Sequence, residues 1–235
     1  MTSSLLAQPD EQVLINAQNV LEQVFGYQKF RIGQEQVIDL AIEGRDSLVI
    51  MPTGGGKSLC YQIPALVRSG ITLVISPLIS LMKDQVDQLK ADGVAAECIN
   101  STMPREQLIS VYNRMHSGEL KLVYVSPERV LMRDFIERLQ NIPLSMIAVD
   151  EAHCISQWGH DFRPEYAALG QLKQHFGHVP FMALTATADD ATRTDITTRL
   201  NLNDPHIHLG SFDRPNIRYT LLEKHKPVSQ VIRYL

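Results

Sequence analysis

The chain is poor in cysteine, lacks long apolar runs and has no excess of positive charge, and each shortage removes a class of protein. Its three cysteines, Cys60, Cys98 and Cys154, are odd in number, far apart and form no C-x-x-C pair. That argues against a disulfide framework or a thiolate zinc site and fits a reducing cytoplasm. No stretch approaches the length of a membrane span, and the N-terminal residues lack a basic segment followed by a long apolar run, so a soluble, unexported protein without membrane contact is expected. Net charge is −4, from 22 Lys+Arg against 26 Asp+Glu, so any nucleic-acid contact must be local. Repeats and low-complexity tracts are missing too. What remains is a chain of 235 residues, long enough to bury roughly 70–75% of its unfolded surface in one large α/β domain or two small ones.

Residues 47–60, S-L-V-I-M-P-T-G-G-G-K-S-L-C, organise the rest. A short apolar run breaks into Gly54, Gly55 and Gly56, then Lys57 and Ser58 open an apolar helix over 59–67. Glycines allow backbone N–H groups to converge on an anion, and the following helix adds its positive end. Lys57 supplies a charge for the β- and γ-phosphates and Ser58 a hydroxyl for Mg²⁺. The pattern G-x-x-x-x-G-K-[ST] asks for glycine at 51, where this chain has Met51.

Periodicity predicts helices over 10–25 and through Val37, Ile38 and Ala41, halting at Gly44. Beyond the glycine loop, strands are expected at 71–75, 95–99, 122–125, 146–149, 181–184 and 217–222. Helices are expected at 78–91, 104–116 (with Ser101 or Thr102 near its cap), 128–139, 165–176 and 189–200. Such alternation implies a mainly parallel sheet with helices on both faces.

The strand 146–149 runs into D-E-A-H at 150–153, which places two carboxylates at the carboxyl edge of the sheet. Adjacent strand residues point to opposite faces, so a division of roles follows. Asp150 holds Mg²⁺ through water, and Glu151 orients and deprotonates the water that attacks the γ-phosphate. His153, Cys154 and His160 lack H-E-x-x-H spacing and a fourth ligand, so zinc is not expected there. From 154 to 164 periodicity vanishes, and the loop C-I-S-Q-W-G-H-D-F-R-P carries the one tryptophan of the chain, Trp158.

With both motifs in place, the chain resembles the first motor domain of superfamily 2 helicases, and within them the bacterial RecQ family of DNA helicases. The likeness rests on F-G-Y-Q-K-F-R-I-G-Q at 25–34, M-P-T-G-G-G-K-S-L-C-Y-Q at 51–62, S-P-L-I-S-L-M-K-D-Q at 76–85, S-P-E-R at 126–129, D-E-A-H at 150–153, I-S-Q-W-G-H-D-F-R-P-E-Y at 155–166, L-T-A-T-A at 184–188 and F-D-R-P-N at 212–216. The resemblance implies a RecA-like P-loop NTPase fold that tolerates Met51. It implies ATP and Mg²⁺, with adenine stacked between Tyr27 and Arg31, its edge on Gln34, and its phosphates on Thr53, Gly54, Gly55, Gly56, Lys57 and Ser58. Lys57, Asp150 and Glu151 would be catalytic, and Ser58 and Asp150 would hold the metal.

The loop bearing His153, Gln157, Trp158, Phe162 and Arg163 resembles the family's aromatic-rich sensor of single-stranded DNA; aromatic rings there can stack on bases. Ser76, Thr185 and Thr187 are carried over as strand-tracking and coupling residues. By this likeness 1–46 holds N-terminal helices with the adenine segment, 47–210 the RecA-like domain, and 211–235 a connecting strand and the start of a second motor domain. That second domain, acting in cis, would supply an arginine worth ~10³–10⁵ in rate, so these residues alone should hydrolyse ATP very slowly. Zinc and contacts to single-strand-binding protein would belong to C-terminal modules. The implied setting is a bacterial cytoplasm at the nucleoid, with single-stranded and partly duplex DNA as the partner, in 3′–5′ unwinding for recombination and repair. An RNA helicase of the same superfamily remains an alternative that the motor motifs do not separate; a nucleotide-dependent docking module without turnover is a second, against which the presence of Glu151 speaks.

Overall fold

A computed structural model describes residues 11–100, 103–158, 161–211, 223–225 and 232. Strands β1 (Ser47–Ile50), β2 (Ile71–Ile75), β3 (Ala96–Ile99), β4 (Leu122–Val125), β5 (Leu144–Val149), β6 (Phe181–Thr185) and β7 (His206–Leu209) form one seven-stranded sheet in the order β3-β4-β2-β5-β6-β1-β7. Every pairing is parallel. A parallel sheet needs cover on both faces, and the strands are accordingly apolar at consecutive positions. Leu48, Ile50, Leu73, Ile75, Val123, Val125, Ile147 and Val149 feed one core layer. Val49, Val74, Leu122, Tyr124, Ala148 and Met182 feed the other.

Helices α2 (Gln34–Ile42), α3 (Leu59–Val67) and α4 (Ile79–Ala91) close the second layer, and α5 (Arg105–His116), α6 (Pro127–Val130), α7 (Arg133–Leu139), α8 (Pro164–Ala167), α9 (Leu172–His175) and α10 (Asp190–Arg199) close the first. Helix α1 (Glu11–Gln23) joins α2 and α3 in a satellite cluster of Ala17, Leu21, Ile38 and Ile63. The N-terminal helices thus share their apolar contacts with the helix that follows the glycine loop. At the amino edge of the sheet, buried Asp46 accepts from Lys173 Nζ (2.9 Å to Oδ1), Phe181 N (2.8 Å) and Asn203 N (2.8 Å), which ties β1, β6 and the approach to β7 together.

Three expectations change. The helix over 128–139 is two: Met132 turns extended (φ −69, ψ 132), and Arg129 spans the break to Asp134 and the Tyr112 hydroxyl, 2.9 Å each. The helix over 165–176 breaks into α8, a 3₁₀ turn at Leu169–Gln171, and α9. Its cause is Gly170, where a Cβ would sit 1.9 Å from the Arg199 carbonyl oxygen, so only glycine lets the end of α10 press on this turn. The seventh strand, H-I-H-L at the sheet edge, is half exposed and alternates histidine with aliphatic residues, so its apolar signal is faint. The strand expected at 217–222, and Ser101 and Thr102, lie outside the described residues. Pro104 precedes α5 without a side-chain cap.

Candidate active site

The loop after β1 and the acidic turn after β5 emerge on the same edge, because both strands pair in parallel with β6. Only β6 separates them, a spacing of about 10 Å at ~4.8 Å per strand. Loops at the carboxyl edge of such a sheet are where α/β ligands sit.

In the glycine loop the amides of Leu59, Cys60 and Tyr61 donate to Gly56, Lys57 and Ser58 carbonyls, whereas those of Gly56, Lys57 and Ser58 make no hydrogen bond among the described residues. These are the orphan donors of a helix N-terminus, grouped around the lysine. Lys57 Nζ donates to the Met51 carbonyl (3.0 Å) and the Pro52 carbonyl (3.5 Å), so its charge is held inside the loop. Gly56 has φ 84, and a Cβ on it would lie 2.3 Å from Gln34 Nε2. Both the conformation and the neighbour therefore require glycine. Thr53 and Gly54 are exposed, and Gly55 and Ser58 half-buried. The free amides, the ammonium and the hydroxyl suit a polyphosphate with its metal.

Beside the loop opens a cavity of about 410 Å³, lined by Tyr27, Lys29, Arg31, Gln34, Gly56, Ser58, Gln62, by Gln85 and Gln88 of α4, and by Asp92 at its C-cap. Tyr27, Arg31 and Gln34 are thus brought together next to the phosphate loop. Tyr27 is exposed. Arg31 Nη1 donates to the Gly54 carbonyl. Gln34 Oε1 accepts from Arg31 N (2.7 Å) and its Nε2 donates to Gly56 O (3.1 Å), with the side chain buried at the cavity wall, which leaves one lone pair and one amide proton beyond these two bonds. Gln34 therefore clasps the 25–34 segment to the phosphate loop. Gln62, which the sequence reading passed over, donates to Gln85 Oε1 (3.1 Å) and Tyr124 OH (3.3 Å), connecting the cavity to α4.

Strand β5 ends at Val149, so Asp150 and Glu151 lie in a turn and the strand alternation expected for them does not apply. Glu151 takes up a left-handed conformation, φ 49 and ψ 43, which costs a non-glycine residue of order 1–3 kcal/mol and is a strain often kept at working sites. Asp150 Oδ1 accepts from Glu151 N at 3.0 Å. Burial first, then the Glu151 charge, push the Asp150 carboxyl up to about 6, while the Glu151 amide and the Lys57 charge oppose the rise. A cation beside it would reverse that shift.

His153 Nδ1 lies 2.9 Å from Thr185 Oγ1 and 3.3 Å from Glu151 Oε2. Thr185 Oγ1 donates to Thr187 O (3.0 Å) and accepts from Thr187 N (3.3 Å). The acidic turn and the T-A-T segment are therefore one hydrogen-bonded unit. Thr185 and Ser76 are fully buried, so neither reaches a nucleic acid; Thr185 acts on His153, and Ser76 Oγ has no partner among the described residues. The exposed residues of the 76–85 segment are Leu78, Ile79, Ser80, Lys83 and Asp84.

In the 154–163 loop Trp158 is 77% exposed and Gln157 is exposed, while Phe162 is half-buried. Arg163 Nη1 donates to Pro77 O (3.3 Å), and Arg163 N to Cys154 O (2.9 Å). Arg163 thus joins the aromatic loop to the segment after β2. Gly159 and His160 lie outside the described residues. Cys154 Sγ donates to the Asp161 carboxylate at 3.6 Å, and His153, Cys154 and Asp161 form one cluster, a contact the linear spacing did not reveal. Burial, then the Asp161 charge, push the Cys154 thiol up to about 12.

The model of the DEAD/DEAH box helicase family matches residues 31–196. The chain belongs to this family. As a DEAD/DEAH box domain it is 62% identical over 219 residues to "ATP-dependent DNA helicase RecQ" of Pasteurella multocida, a match covering 93% of this chain and 35% of that protein. It is 61% identical over 219 residues to the protein of the same name from Haemophilus influenzae, with the same coverage. To that of Bacillus subtilis it is 47% identical over 213 residues, covering 90% of this chain and 36% of the relative. The chain spans about a third of the length of these relatives. Among solved structures it is similar to the Pyrococcus furiosus Hef helicase domain (TM-score 0.61, 17% identity, 83% of this chain and 40% of that one). It is also similar to the DNA-bound helicase MrfA (TM-score 0.65, 15% identity, 87% and 30%). At these identities the likeness is one of fold. Those folds agree with the α/β, RecA-like, mainly parallel architecture expected from the sequence, and every pairing observed is parallel.

Proposed function

We propose that this chain is the first motor domain of a RecQ-type ATP-dependent DNA helicase, in which ATP hydrolysis drives 3′–5′ unwinding for recombination and repair. The observation that carries it is the convergence, across β6, of the Gly54–Ser58 loop with Asp150 and Glu151, beside a base-sized cavity. Lys57 and the free amides of residues 56–58 hold the β- and γ-phosphates. Tyr27 and Arg31 flank the base, and Gln34 couples its seat to the loop. Ser58 and Asp150 would hold Mg²⁺, which when bound screens phosphate charge and fixes the phosphates relative to the loop. Glu151 orients water and takes its proton, with His153 and Thr185 carrying its position to the T-A-T segment. Trp158, with Gln157 and Phe162, meets single-stranded DNA, and Arg163 relays that contact to the segment after β2. A second motor domain in cis supplies the transition-state arginine. The setting proposed is the bacterial cytoplasm; single-strand-binding protein would be met through other modules. The names of the RecQ relatives favour DNA over RNA.

The test is Glu151→Gln in the full-length protein. Binding of a fluorescent ATP analogue should stay within about twofold while turnover falls by 10²-fold or more, roughly the loss of a general base. Unchanged turnover would remove Glu151 from the mechanism, and stronger stimulation by RNA than by single-stranded DNA would replace the substrate.

A further inference from the structure

We propose that His153 Nε2, Cys154 Sγ and Asp161 Oδ2 form a binding site for a thiophilic divalent cation of the zinc class, set between the acidic turn and the aromatic loop. The three ligand atoms lie within 4.8 Å of one another. Cys154 Sγ is 3.8 Å from His153 Nε2 and 3.6 Å from Asp161 Oδ2. A tetrahedral ion with bonds of about 2.3 Å to sulfur and about 2.0–2.2 Å to nitrogen and oxygen sets its ligand atoms roughly 3.5 Å apart. The sulfur contacts already stand near that spacing.

The histidine is turned for the purpose. Thr185 Oγ1 spends its own proton on the Thr187 carbonyl, so it accepts from His153, and Glu151 Oε2 faces the same ring nitrogen. The proton of the neutral ring is therefore on Nδ1, and Nε2 directs its lone pair at Cys154. A ligating histidine whose other nitrogen donates to a fixed oxygen is the usual arrangement at a metal. The backbone holds the other two ligands: Cys154 N donates to Glu151 O, and Cys154 O accepts from Arg163 N, both at 2.9 Å, closing the loop so that Asp161 returns over the sulfur.

A donor set of thiolate, imidazole and carboxylate selects Zn²⁺ or Co²⁺ over Mg²⁺ and Ca²⁺, which take oxygen. The ion enters on the exposed Asp161 side, the thiol proton leaves to water, and water takes the fourth position. Arg163 Nη2, 3.5 Å from the same Asp161 oxygen, is the cation it must displace. If the proposed function holds, a bound ion locks the aromatic loop to the acidic turn and slows DNA-stimulated turnover. Binding itself does not depend on that function.

The test is titration of the purified chain with Co²⁺ in excess Mg²⁺, without nucleotide, followed by its tetrahedral d–d absorption and thiolate-to-cobalt charge transfer. The expected result is one Co²⁺ per chain, displaced by Zn²⁺, with charge transfer lost in Cys154→Ser and kept in Cys98→Ser. Asp161→Asn, at an exposed position, should keep the native circular dichroism and bind about 10-fold more weakly or worse, outer-shell partners alone being worth 10–100-fold. This variant decides the matter if Cys154→Ser fails to fold. No uptake, a thiolate band that survives Cys154→Ser, or unchanged affinity in Asp161→Asn would overturn the proposal.

Discussion

Asp150→Asn should stabilise the ligand-free chain while impairing the site. The carboxyl rises from 3.8 to about 6, mainly through burial and then through Glu151. At ~1.4 kcal/mol per tenfold change, that is a preference of about 3 kcal/mol for the protonated form in the folded state. The sign follows from proton counting. Below 3.8 both states carry the proton and the fold bears no penalty; between 3.8 and about 6 the folded state alone keeps it, so stability falls as pH rises through that window and stays reduced above it.

Asparagine retains the oxygen that accepts from Glu151 N and never ionises, so it avoids the loss. Near pH 8 the variant should gain up to about 3 kcal/mol, or roughly 6–12 °C in Tm for a chain of this size. Near pH 4 the gain should shrink below about 1 kcal/mol. Asp39, raised to about 6 by burial and its Glu35 and Glu43 neighbours, titrates in the same window, so the difference between the two proteins isolates Asp150. Thermal unfolding at several pH values, with and without Mg²⁺ and a slowly hydrolysed ATP analogue, is the assay. Ligand should stabilise the native protein much more than the variant. A variant no more stable near pH 8, or a gain independent of pH, would refute the electrostatic reasoning.

Trp158→Ala removes a side chain that is 77% exposed, so stability should stay within about 0.5 kcal/mol. Stimulation of ATPase by single-stranded DNA should fall at least several-fold with ATP affinity preserved; unaltered stimulation would dismiss the stacking role. Gly170→Ala puts a Cβ 1.9 Å from the Arg199 carbonyl oxygen, and forcing the two apart should cost about 1–3 kcal/mol in chemical denaturation. A neutral effect would mean that this turn does not hold the end of α10.

The glycine loop and the acidic motif were legible because each is contiguous and follows an apolar strand, so topology alone places both on one edge of the sheet. The seat proposed for the base was legible only as membership: Tyr27, Arg31 and Gln34 do line the cavity, but no pattern in the chain signals that the Gln34 amide also bonds Arg31 N and Gly56 O. Contacts between distant segments were invisible. Glu151 reads as a strand residue, yet turns left-handed; Asp161 approaches Cys154 because of a backbone bond from Arg163. Helix breaks were missed for the same reason, since what interrupts 165–176 at Gly170 is the carbonyl of Arg199, far along the chain. Strand β7 gains its place by pairing with β1, not by its own hydropathy.

The most direct measurement is a crystal structure of the chain with Mg²⁺ and a non-hydrolysable ATP analogue. The triphosphate should lie on the amides of residues 56–58, with Lys57 drawn off the Met51 carbonyl and the base between Tyr27 and Arg31. A ligand bound elsewhere, with Lys57 still on Met51 and Pro52, would contradict the assignment of this loop and everything built on it.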